Sequence, residues 1–221
     1  MKIYVVGSHK NNFLALDNIR EKFFVDDKHE GDNIDFLNPW YCELTGLYHL
    51  WQNCDDEIVG LEHYRRYFVN NTNQLLSEQN IIDILKYNDV ICSCVNTPIP
   101  TKDEFHILTE GDDEIIFNVL KSQNPSFYYF LIKELEQKQL YWCNCLITRK
   151  NVLNEWCTFL FNLCIDSEKI KPIKEIPLRR EGYVGEYLLG AWLKFNGYKI
   201  AKAKMPMYNK ELTQKVRVAG A

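Results

Sequence analysis

Nine consecutive residues, Gly60-Leu-Glu-His-Tyr-Arg-Arg-Tyr-Phe68, carry a carboxylate, an imidazole, two guanidinium groups and three aromatic rings behind the apolar pair Ile58-Val59. The apolar pair reads as a buried strand. A strand that ends in charge and aromatics is where open α/β sheets hold ligands, outside the carboxyl ends of their strands. In extended backbone His63 and Arg65 would face one side, and Glu62, Tyr64 and Arg66 the other. Adjacent arginines seldom both belong to a core, and their planar forks match phosphate or carboxylate. The alternative is a strand end with solvated arginines beside a structural His-Tyr pair.

Five further positions have the chemistry of a site. Glu186 follows the run Arg179-Arg180-Glu181-Gly182-Tyr183, in a helix expected over 183–195. It is either a general base near an acceptor hydroxyl or a helix-terminal carboxylate paired to Arg180. Asn144 is the conspicuous polar residue of an otherwise apolar run, Tyr141–Thr148. It either reaches a ligand or finishes a strand end. Glu43 and Thr45 lie near the start of a helix opened by Asn38-Pro39. Glu43 either stabilises the helix dipole or accepts a bond from a ligand hydroxyl. His106 precedes Glu110-Gly-Asp-Asp113. That acidic group resembles a metal-binding Asp-x-Asp loosely and fits the first turn of a helix over 112–122 better.

The elements that must position these residues alternate between strand and helix. Lys2–Val6 reads as a first strand with a Gly7-Ser8-His9 turn, residues 11–24 as a helix followed by irregular structure, and Asp26–Asp35 as a surface loop. One helix is expected from Asn38 to about Asn53, with Leu44, Leu47, Tyr48 and Trp51 on its apolar face. Glu57–Glu62 and Asp89–Val95 read as strands around a helix over 78–87 capped by Ser77. Pro125 opens a helix to about Gln137, and another spans Lys150–Cys164 before a charged linker, Asp166–Pro177. Tyr198–Ala203 is a last strand, and Met205–Ala221 a basic tail. Such alternation implies a mostly parallel sheet covered on both faces.

A chain of 221 residues with 46% hydrophobic and 25% charged residues fits one globular domain. Its aromatic content of 14% fits either ring and sugar stacking or a heavily packed core. No apolar run approaches membrane-spanning length. The N-terminus enters a strand without a signal-peptide cleavage pattern, so the eight cysteines are expected as reduced, buried thiols of a cytosolic protein. The net charge of −4 is uneven: residues 168–221 hold 12 basic and 5 acidic residues, and the first 167 hold 14 and 25. A basic end on an acidic body suits a phosphate or an anionic membrane surface, or is a solvated tail. The acidic total argues against a nucleic-acid-binding domain.

Several segments together resemble a known family. They are Cys42-Glu-Leu-Thr-Gly-Leu-Tyr-His-Leu-Trp-Gln-Asn53, then Ile58-Val-Gly-Leu-Glu-His-Tyr-Arg-Arg-Tyr-Phe68, Asn144-Cys-Leu-Ile-Thr148, Glu155-Trp-Cys-Thr-Phe-Leu-Phe161 and Gly182-Tyr-Val-Gly-Glu-Tyr-Leu-Leu189. Their order and spacing, over roughly residues 2–205, are similar to the uncharacterised-domain family of capsular polysaccharide and O-antigen synthesis proteins. Its members are regarded as GT-A-like glycosyltransferases, some of them galactofuranosyltransferases. The chain departs from the family where Asn-Met-Phe-Ile becomes Asn144-Cys-Leu-Ile147 and Glu-Arg becomes Glu186-Tyr187.

The resemblance implies a single α/β domain over residues 1–205, GT-A-like (Rossmann-like) with a mostly parallel central sheet flanked by helices, and a basic tail over 206–221. It implies transfer of a hexosyl, galactosyl or galactofuranosyl group from a UDP-sugar to a glycan or lipid-linked glycan acceptor, with inversion. The enzyme would be cytoplasmic, at the inner face of the membrane. Glu186 and His63 are the implied catalytic residues. Glu43, Thr45, Tyr48, Tyr64, Arg65, Arg66, Asn144 and Arg180 are the implied substrate contacts. Most GT-A folds hold Mn or Mg through Asp-x-Asp on the pyrophosphate. That motif is absent at Glu62-His63-Tyr64-Arg65-Arg66. Either Arg65 and Arg66, joined by His63, replace the metal and neutralise the leaving group, or a divalent ion binds through Glu62 and His63. A non-catalytic sugar-nucleotide-binding or scaffold subunit is the alternative to an enzyme.

Overall fold

The computed structural model describes residues 1–208. Six strands, β1 (Lys2–Gly7), β2 (Arg20–Phe24), β3 (Ile58–His63), β4 (Val90–Asn96), β5 (Gln139–Arg149) and β6 (Ile200–Lys202), form one sheet in the order β2-β1-β3-β5-β4-β6. The pairings β1–β2, β1–β3 and β4–β6 are parallel, and β5 runs antiparallel to β3 and β4 on either side. Five strands therefore share one direction, as the alternating pattern predicts.

Period-2 alternation sorts side chains onto two faces. Tyr4, Val6, Val59, Leu61, Val90 and Leu146 point into the larger core. Ile3, Ile91, Cys145 and Ile147 point into a second core, shared with Ile81 and Leu85 of α3 (Glu78–Leu85). The larger core is roofed by α1 (Asn38–Tyr41), α2 (Leu44–Asn53), α4 (Thr101–Leu108), α5 (Asp113–Gln123), α6 (Pro125–Leu135), α7 (Lys150–Ile170) and α8 (Arg180–Phe195). Ser77 starts α3 with a reciprocal capping box to Asn80. Asn124 accepts from the Phe127 N–H ahead of Pro125 at the start of α6.

Four elements differ from the sequence expectation. Residues 11–24 hold no helix; Arg20–Phe24 pairs with β1 as an edge strand. Pairing there also lets Arg20 bury its guanidinium against Glu62 at 2.7 Å, so a tertiary contact overrides local propensity. The helix expected from Asn38 to Asn53 is broken at Cys42, whose φ is 50°. The break lets α1 dock on the start of α8, where Pro39 C=O accepts from the Arg179 N–H at 3.0 Å. Finally, α7 runs on to Ile170 through part of the expected linker, and α8 begins at Arg180, ahead of 183.

The tail expected from Met205 starts as packed chain: Met205 and Tyr208 are buried. The expectation for residues 209–221 lies outside the described residues. No helix among the described residues is long and apolar enough to cross a membrane.

Candidate active site

A cleft of about 490 Å³ opens at the carboxyl ends of β3 and β4, beside the N-terminal half of the antiparallel β5. His63, Arg65 and Arg66 enter it from the end of β3, Glu43 from the start of α2, Glu186 from α8, and Trp142 and Cys143 from β5. Arg179, Tyr183, Tyr187 and Glu104 complete its charged and aromatic lining. The strand-end position anticipated from sequence is where the groups meet.

The alternation expected for residues 62–66 does not persist. His63 and Arg66 exchange backbone hydrogen bonds across a tight turn, with N–H···O distances of 3.0 and 2.8 Å. The turn carries Arg65 and Arg66 to the same side as His63. Glu62 faces the opposite way, fully buried. Its two oxygens accept from Arg20 at 2.7 and 3.1 Å, and Oε1 also accepts from the Phe68 N–H at 2.9 Å. Tyr64 leans away from the cleft against Phe13, with Arg65 over its ring.

Glu43 and Glu186 form the acidic side. Burial raises the Glu43 carboxyl, opposed by a hydrogen bond from Asn144. Burial first, and then the charge of Glu43, push the Glu186 carboxyl up to about 7. That value suits a group that must accept a proton near neutrality. His63 moves the other way: burial and then Arg66 and Arg65 hold it down to about 3. At neutral pH it is an uncharged imidazole, which removes the cationic role that would place it with the arginines.

The remaining expected contacts sit elsewhere. Asn144 is buried behind the cleft, its amide donating to Glu43 Oε1 and to the Gly182 carbonyl, each at 2.9 Å. Thr45 is buried and its hydroxyl donates to the Cys42 carbonyl at 2.8 Å, bracing the chain break. Tyr48 packs edge-on against Trp51 and Phe161. Arg180 is sealed in the interior, bonded to Ser167 at 2.8 Å, to Asp112 at 3.4 Å and to Glu181. His106 bonds Asp113 at 2.8 Å, and that pair stands apart from the cleft.

Of the adjacent pair, Arg179 lines the cleft and Arg180, the expected contact, does not. Helical periodicity places Arg180 in line with the buried Val184 and Leu188. Arg179 falls in line with Tyr183 and Glu186, which line the cleft. Arg179 has φ of 67° and holds its guanidinium carbon 5.2 Å from the centre of the Tyr183 ring. Trp142 and Glu104 carried no comparable signal, because a bulge and a tertiary fold bring them in.

Glu62 and His63 do not form a shared site for a divalent ion. Glu62 cannot join His63 as a ligand because its oxygens are held by Arg20 on the other face. Among the described residues no group of three or more His, Cys, Asp or Glu is arranged to hold a metal. Positive charge in the cleft comes instead from Arg65, Arg66 and Arg179. Three guanidinium groups beside the carboxylates of Glu43, Glu104 and Glu186 can hold a phosphate-bearing ligand and take a proton beside it.

The family described as "Domain of unknown function (DUF4422)" matches residues 2–197. No curated protein matches the chain in sequence. The solved apo structure of WbbM, a bifunctional glycosyltransferase, is similar over 95% of this chain with a TM-score of 0.76 and 20% identity. The matched region is 45% of that protein's chain, so this chain spans less than half of it.

Proposed function

The chain belongs to the DUF4422 domain family and has a GT-A-like α/β fold, and from this premise we propose that it is a glycosyltransferase. The donor is a UDP-sugar, and the group moved is a hexosyl residue, galactosyl or galactofuranosyl. The acceptor is a glycan, carried on lipid, in the synthesis of a surface polysaccharide. The observation that supports this reading is the meeting of Arg65, Arg66 and Arg179 with Glu43 and Glu186 in one strand-end cleft.

In this reading each group has a task. Glu186, poised near neutrality, takes the proton from the acceptor hydroxyl as its oxygen attacks the anomeric carbon. The bond to the diphosphate breaks on the opposite face, and the configuration inverts. Arg65, Arg66 and Arg179 neutralise the charge that develops on the departing diphosphate. Preorganised donors of this kind are worth about 3–4 kcal/mol of barrier each. Neutral His63 donates or accepts a single hydrogen bond at the turn. Glu43 accepts from a sugar hydroxyl while Asn144 holds it.

The test is a melting-temperature panel with UDP, GDP, CMP and dTDP, each with and without Mn²⁺, followed by transfer of labelled sugar from UDP-hexoses. A ligand that binds only the folded state raises Tm with its affinity. The expected result is a UDP-selective rise without metal, and turnover that survives EDTA. Binding without turnover on any acceptor would favour the scaffold alternative. Loss of turnover in EDTA with recovery in Mn²⁺ would overturn the arginine mechanism.

A further inference from the structure

Strand β5 loses register against β4 beside the cleft. Cys92 pairs with Leu146, yet Cys94 pairs with Tyr141. Ser93 alone therefore spans the stretch Trp142–Cys145 on the partner strand. Within that bulge Cys143 and Asn144 both lie in the left-handed region, with φ of 63° and 54°. Two successive L-residues in that region are uncommon, and such strain gathers at functional sites.

Each of three consecutive bulge residues addresses a different charged group of the cleft. The Trp142 ring lies under the Arg66 guanidinium, whose carbon is 4.2 Å from its centroid. The Cys143 backbone N–H faces the Glu186 carboxylate and favours its charged form. The Asn144 amide bonds Glu43 at 2.9 Å. Helix α8 is shaped to admit this arrangement. A Cβ on Gly185 would come within 2.4 Å of Asn144 Oδ1, so a side chain there would have to displace the Asn144 amide.

We infer that Trp142-Cys143-Asn144 is the positioning element of the site, fixing Arg66, Glu186 and Glu43 relative to one another. Asn144 and Trp142 act through Glu43 and Arg66 and are positioning residues. The catalytic part of this inference rests on the role proposed for Glu186; the positioning part does not. Bulges re-aim side chains next to active sites in this way.

The experiment compares Asn144→Ala and Asn144→Asp by the pH dependence of kcat. Glu186 is faced by Glu43, Arg66 and Arg179, with His63, Arg65 and Glu104 elsewhere in the cleft. Removing the amide favours protonated Glu43, so Glu186 feels less negative charge and its limb moves to lower pH. The aspartate adds negative charge, so the limb moves to higher pH. Both variants should lose about 10–100-fold in kcat through misplacement of Glu43. Trp142→Phe should keep the wild-type KM for the donor, and Trp142→Ala should raise it.

Loss of activity with the limb fixed in both asparagine variants would overturn the inference, as would a change confined to KM for the sugar. If the wild-type protein transfers no sugar, the Glu186 titration is read directly by carboxyl NMR of glutamate-labelled protein. Opposite displacements there uphold the positioning role and reject the transferase reading alone. An unmoved titration rejects the positioning role. Where the alanine variant does not fold, the near-isosteric aspartate is read alone: a move to higher pH upholds the positioning role and an unmoved titration rejects it.

Discussion

Glu43 and Glu186 enter one cleft from the N-terminal halves of two helices, and the charge of Glu43 adds to burial in pushing the Glu186 carboxyl up to about 7. Activity that needs ionised Glu186 should rise with pH through about 7. Stability should move the opposite way. The folded state binds a proton here that the unfolded chain releases near its ordinary value of 4.5, so stability present below 4.5 is lost as pH rises to about 7. The shift amounts to a few kcal/mol, on the order of 3. Glu186→Gln should abolish the activity limb and, above pH 7, melt higher than wild type. A variant with full kcat would remove Glu186 from the mechanism.

His63 should produce the reverse stability trend. Its folded value of about 3 lies below the ordinary 6.5, with burial as the main cause. The unfolded state therefore binds the extra proton between these values, and stability falls as pH drops from 6.5 toward 3. His63→Gln should move the acid-unfolding midpoint to lower pH in a circular-dichroism titration. It should leave the neutral-pH activity limb where Glu186 sets it. An imidazole that titrates near 6.5 by NMR would contradict the buried, arginine-flanked setting.

Arg179 and Arg180 should separate function from stability. Arg180 is fully buried among Asp112, Ser167 and Glu181, and removing one partner of such a cluster costs about 3–5 kcal/mol. Arg180→Ala should therefore melt far below wild type or fail to fold. Arg179 is exposed at the cleft. Arg179→Ala should keep its melting temperature and bind UDP about 10–100-fold more weakly, the worth of one charge-assisted contact. Equal melting temperatures for the two variants would refute the assignment.

The same pair shows what was legible in the sequence. The strand-end cluster, the helix carrying Glu186 and the five-strand parallel direction follow from local patterns that tertiary structure leaves intact. The resemblance implies Arg180 as a contact, but the helix period turns neighbours about 100° apart and sends Arg180 into the core while Arg179 reaches the cleft. Thr45 and Tyr48 followed the motif around Glu43 into the candidate set, yet the break at Cys42 turns only Glu43 toward the cleft. Asn144 was singled out correctly as unusual. Its partner Glu43 lies 101 residues away, and no periodicity reports a contact of that range. Trp142 depended on a bulge, which needs both strands to be seen.

The chain after the last strand should be part of the site's support. Tyr208 donates its backbone N–H to the Arg65 carbonyl at 2.7 Å, Met207 bridges to Arg66, and the Tyr208 ring packs against Tyr67 at 5.9 Å. These contacts hold the backbone of the turn that aims two of the three arginines. Tyr208→Ala should cost about 3 kcal/mol by analogy with buried aromatic truncations. It should also weaken UDP binding, because a looser turn must be ordered when the ligand arrives. The buried hydroxyl has no hydrogen-bond partner among the described residues. Tyr208→Phe should then match or slightly exceed wild type in melting temperature and keep its UDP affinity, since the ring and the backbone bond remain. Calorimetric titration of UDP into both variants tests this. If Tyr208→Ala binds UDP as tightly as wild type, the segment packs against the body without supporting the arginine turn.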